Sequence, residues 1–124
     1  MIEFLKKIRD IAGMECEIGE YGPDSTFLYP FLLLTPISEK WNTGLLGTVM
    51  DKTIRIRLSL FLENDGKYED IAQEAVKTLK GLLLDKRIKS EIITFISAEV
   101  QLSLVEEQTV MCAILDTSLE ITRR

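Results

Sequence analysis

At 124 residues the chain has the size of one domain, 1–124 undivided, able to bury roughly two-thirds of the surface that its unfolded form exposes. A charged share of 28% and a hydrophobic share of 46% exclude wholesale disorder, and the net charge of −5 disfavours a broad phosphate-neutralising grip on DNA. The chain has no histidine, so imidazole-dependent dyads and triads are excluded and the commonest metal ligand is missing.

Ile2, Leu5, Ile8, Ile11 and Ala12 recur at helical spacing, with Glu3 and Lys7 one turn apart on the outer side, which predicts an amphipathic helix over 2–13 stopped by Gly13. The charges scattered through its apolar positions are unlike a secretory signal, and no uninterrupted apolar stretch in the chain approaches the roughly twenty residues of a membrane span. Residues 14–26 end in GEYGPDST and predict a turn or a loose edge segment. FLYPFLLLTP then predicts a strand at an edge or with a bulge, because Pro30 has no N–H for a ladder, and Pro36 is expected to close it. Residues 37–50, with Trp41, Asn42, Gly44 and Gly47, predict an irregular connection that presents an aromatic and two leucines, Leu45 and Leu46. Those three residues suit either an interface or a core into which the loop folds back.

Thr53–Glu63, TIRIRLSLFLE, is the clearest strand pattern. Ile54, Ile56, Leu58, Leu60 and Leu62 share one side, and Thr53, Arg55, Arg57, Ser59 and Glu63 share the other, interrupted only by Phe61. Asn64, Asp65 and Gly66 offer a helix cap, after which Tyr68, Ile71, Ala72, Ala75, Val76, Leu79, Leu82 and Leu83 recur as the stripe of a helix lying on a sheet. Ala98, Val100, Leu102 and Leu104 alternate with polar residues, and 106–108 predicts a turn into a last strand over 109–122, so the two strands should form an antiparallel hairpin. The last strand is apolar on both sides at Val110, Cys112 and Ile114 and polar on one side from Asp116 onward, which predicts that its first half is covered twice and its second half once. Cys16 and Cys112 have no metal or redox spacing, and a buried thiol in a reducing compartment is the expectation for Cys112.

The predicted architecture is α+β, a mixed or antiparallel sheet of four to five strands with two helices on one face in the order α-β-β-α-β-β. No cofactor, metal or catalytic residue is expected: Glu99, Glu106, Glu107, Asp116 and Glu120 fall on exposed strand positions or a turn, and GEYG and GLLG lack the ending of a phosphate loop.

The N-terminal helix, the TFLYPFLLLTP strand with its aromatic-Pro step, the long connection into TIRIRLSLFLEND, the helix KYEDIAQEAVKTLKGLLL and a hairpin ending ILDTSLEITRR together resemble the tail terminator or tail completion proteins of tailed phages. They are similar also to the collar proteins of phage-tail-like bacteriocins. The resemblance spans nearly the whole chain and is one of pattern and size. It implies a non-enzymatic structural subunit, assembled in a bacterial cytoplasm into a hexameric ring that caps a tail tube and joins it to the head, neck or collar. Its partners would be copies of itself and tube, sheath or neck proteins, with at most a passive contact to DNA in the lumen and no membrane. The residues expected at subunit or tube contacts are Trp41, Leu45, Leu46, Lys52, Arg55, Arg57 and Phe61. A rival expectation is a small ferredoxin-like dimer that holds an apolar ligand in a cavity lined by Leu58, Leu60 and Leu79.

Overall fold

A computed structural model describes residues 1–19, 29–43 and 49–122, with the side chains of 42, 43, 49 and 50 outside the description. The elements run α1 (Ile2–Ile11), β1 (Glu15–Ile18), β2 (Phe31–Thr43), β3 (Val49–Glu63), α2 (Tyr68–Leu84), α3 (Lys86–Lys89), β4 (Ile92–Val105) and β5 (Val110–Thr122). The strands form one five-stranded sheet in the order β1-β2-β3-β5-β4, antiparallel except where β1 runs parallel to β2. The α+β class and the mixed sheet agree with the sequence pattern. The element order does not: a short strand, β1, lies where a turn or loose edge was expected, and a third helix, α3, follows α2.

The core follows the period-2 reading of β3. Ile54, Ile56, Leu58 and Leu60 are fully buried together with Leu32 and Leu34 of β2 and Ala113, Leu115, Leu119 and Ile121 of β5. Phe4, Leu5 and Ile8 of α1, Ala75, Leu79, Leu82 and Leu83 of α2 and Ile88 of α3 close that side. The helical layer is laid out in strips: α1 lies against β1 and β2, and α2 against β3 and β5. Leu58, Leu60 and Leu79, the residues expected around a ligand cavity in the ferredoxin-like reading, are fully buried in the packed core.

Three boundaries differ from the sequence reading for local reasons. β2 continues past Pro36 to Thr43, because a register shift between Pro36 and Ser38 lets the pairing with β3 resume, and because the described β1 pairing ends at Ile18 opposite Leu34, before it reaches Pro36. Residues 37–43 are therefore strand and not an irregular connection. β4 begins at Ile92, six residues before the alternating pattern starts at Ala98, with register shifts between Ile92 and Thr94 and between Phe95 and Ser97. Each shift breaks the alternation. Finally, α2 starts after Lys67, which makes no side-chain cap, so Asn64 and Asp65 do not cap it.

Gly13 has φ 68 just past α1, the left-handed conformation that ends helices. The β4–β5 turn places Glu106, Glu107 and Gln108 all at positive φ, held by the Thr109 hydroxyl donating to the Glu106 carbonyl at 2.6 Å. Among the described residues no helix is long and apolar enough to cross a membrane.

Candidate interaction surfaces

The side of the sheet turned away from the helices divides lengthwise. At one end Phe31, Leu33, Ser59, Val110 and Cys112 are buried, and the Phe31 and Phe61 rings lie 6.3 Å apart between centroids. Burial raises the Cys112 thiol pKa, and both cysteines are free, as the sequence reading required. At the other end Arg57 lies opposite Asp116 and grips it with two hydrogen bonds of 2.7 and 3.1 Å. Of the stripe Arg55, Arg57 and Phe61, expected at subunit or tube contacts, two have partners within the chain: Arg57 pairs with Asp116 and Phe61 packs beside Phe31. The register could not be read from β3 alone, and it is the register that brings residue 116 beside residue 57. Arg55 makes no ion pair with a described residue, and with Ile37, Ser97, Glu99, Asp116 and Ser118 it lines a polar cleft of about 370 Å³.

Lys52 is also engaged. Its ammonium lies 3.3 Å from Glu39, which accepts a 3.0 Å hydrogen bond from the N-terminal ammonium of Met1. These bonds, the one from the N-terminus foremost and one from the Trp41 side chain next, hold the Glu39 carboxyl down to about 2, from 4.5. The sign follows: a depressed carboxylate stabilises the fold above its unfolded pKa and ceases to do so as pH falls from about 4.5 to about 2. Glu39→Gln should therefore lower the melting temperature at pH 6, and the difference from the parent should shrink as pH falls below about 4.5 and vanish once it passes below about 2 in a series of melts.

Trp41 lies opposite Lys52 on the β2–β3 ribbon and is 60% exposed, so it is not folded back into a core. A tryptophan exposed on a paired strand has its backbone fixed before any partner arrives, which lowers the entropic cost of using it as an anchor. Leu45 and Leu46, expected beside it, lie outside the described residues.

A second apolar surface was not foreseen. Ile93, Phe95 and Ile96 on the outer strand β4 are all at least 40% exposed, and no described strand lies beyond the β4 edge. Edges in natural proteins usually carry charges. The segment Ile92–Ala98 carries none. Inward of this edge, a trough runs between α2 and the helix side of β4, in two parts of about 630 and 250 Å³ that share Lys80 and Leu84. The only signal for this surface in the sequence was the apolar run IITFI, which the bulges strip of its period.

Some other groupings have structural uses. Lys7 pairs with the nearly buried Glu91 at 2.7 Å and ties α1 to the turn after α3. Thr117, buried, donates to the Ser97 carbonyl at 2.8 Å and pins the second β4 bulge. Asp85 caps α3 through the Arg87 N–H at 2.9 Å. Among the described residues no three potential ligands come together to hold a metal ion.

No protein-family model and no curated protein matches this chain.

Gly81 bears on the trough and on stability. It sits inside α2, and a Cβ added there would meet nothing within 4 Å. Glycine in a helix interior costs about 1 kcal/mol relative to alanine. Gly81→Ala should raise stability by about 0.5–1 kcal/mol in urea titrations, since no described residue occupies the place of the added side chain.

Proposed function

We propose that the chain is a structural assembly subunit that joins with copies of itself head to tail into a closed ring, and that this ring serves as the terminator or collar of a phage tail or phage-tail-like particle. The observation that carries the self-assembly is the presence of two unlike apolar surfaces on one sheet: Trp41 on the β2–β3 ribbon and the uncharged β4 edge with Ile93, Phe95 and Ile96. A heterologous ring needs such a pair, because each subunit must give one surface and receive the other. The two lie on opposite flanks of the sheet, β2 beyond β3 on one side and β4 beyond β5 on the other. The tail role rests on the resemblance of the element pattern. Of the pieces on which that resemblance stands, the N-terminal helix, the helix Tyr68–Leu84 and the C-terminal hairpin are present, while the long connection is shorter than expected because β2 runs on to Thr43.

Of the residues expected at contacts, Trp41 and Arg55 remain the best placed, since both are exposed and the arginine has no described ion-pair partner. Arg57, Lys52 and Phe61 support the fold first. Electron microscopy of the purified chain, alone and mixed with tail tubes, tests the role: rings that seat on tube ends support it. Rings that never engage tubes leave self-assembly standing and remove the tail function.

A further inference from the structure

The helical layer is one strip short. α1 covers β1 and β2, α2 covers β3 and β5, and no described helix lies over the helix side of β4. There Ala98, Val100 and Leu102 form an apolar floor beside Ala72, Val76 and Leu84 of α2. From Phe95 to Leu102 this floor is roughly 23 Å long at 3.3 Å per residue. A helix of about fifteen residues has that length. Amphipathic helices are what sheets of this kind bury on the side where α1 and α2 already lie.

Two further observations restrict the occupant. The charged residues lining the trough are Lys77 and Lys80, both on the α2 wall and neither in an ion pair with a described residue. The same wall contains Gly81, a helix-interior glycine with no described residue near enough to account for it. A missing side chain at that place lets another backbone approach α2 closely. The chain itself carries a net charge of −5, so this basic wall stands out from its surroundings.

We infer that the trough between α2 and β4 is a docking site for an amphipathic α-helix of a different protein, with an apolar stripe facing β4 and carboxylates along the border that meets Lys77 and Lys80. This goes beyond self-assembly, which uses the ribbon and the β4 edge; Phe95 belongs to both surfaces, and Gly81, which lines the trough alone, tells them apart.

The probes are two synthetic sixteen-residue helical peptides with the same leucine stripe, one bordered by glutamates and one by lysines, each titrated into the full chain at low salt. The glutamate peptide should bind at least tenfold tighter, should weaken as salt is raised, and should shift backbone amide resonances of 72–84 and 98–104. Lys77→Glu with Lys80→Glu should invert the preference, and Gly81→Met should weaken the glutamate peptide at least tenfold while the chain stays folded by circular dichroism. Equal binding of both peptides, no binding of either, or resonance shifts elsewhere would overturn the inference. So would loss of the chain's own oligomer in Gly81→Met, which would make a second copy the occupant. An oligomer that persists in Gly81→Met while peptide binding is lost supports separate surfaces.

Discussion

Leu58→Ala should destabilise the fold by about 2–5 kcal/mol, the largest single-site loss expected here. Leu58 is fully buried on the central strand, opposite Leu34 on one side and Leu115 on the other, so both flanking strands and the helical layer would have to move to refill the space. Well-packed interiors relax only partly around such a gap. The next residue along the strand provides the control. Arg57→Ala removes a bidentate pair with Asp116, but the Arg57 and Asp116 side chains are 45% and 37% exposed, and an ion pair so wetted contributes about 1 kcal/mol or less. Urea unfolding of the two variants should therefore separate adjacent positions on one strand by a wide margin. Similar losses for both would mean that β3 is not sided in the way described.

The second large effect is on association. Trp41→Ala combined with Ile96→Lys should reduce self-association at least about thirtyfold, since a buried aromatic anchor alone typically accounts for about 2 kcal/mol or more of binding. Ile96 falls between residues paired in the β4–β5 register and is 54% exposed, so a lysine there meets solvent in the free chain. In an interface the same lysine would be stripped of water, which costs several kcal/mol without a partner. Tyr68→Ser serves as the comparison: Tyr68 is 47% exposed at the start of α2, away from both surfaces, and its loss should leave association unchanged.

Much of the fold was legible because its signals are local. The side of β3 that faces the helices, the stripe of α2, the stop at Gly13 and the β4–β5 hairpin each follow from the period of a single segment. The half-and-half covering of β5 was legible for the same reason: Val110 and Cys112 are buried on the side where Asp116 and Ser118 are only partly so. What was not legible depends on neighbours. Pro36 and Gly44 suggested an irregular connection, yet pairing with β3 carries β2 on to Thr43. The partner of Arg57 lies 59 positions away and follows only from the β3–β5 register. The run IITFI has no strand period, because two register shifts in six residues reset its alternation, so its place on an exposed edge became visible only with the sheet assembled. The trough is not legible for a further reason: Ala72, Val76 and Leu102 read as core positions in their own elements, and only the layout of the helical layer leaves them lining an open surface.

The most direct test of the account is the native mass of the purified chain across a concentration series. One discrete oligomer, a closed ring, is expected, dissociating to monomers in the Trp41→Ala, Ile96→Lys variant and persisting in Tyr68→Ser. A chain that stays monomeric up to high concentration, or an oligomer indifferent to the changes at Trp41 and Ile96, would contradict it.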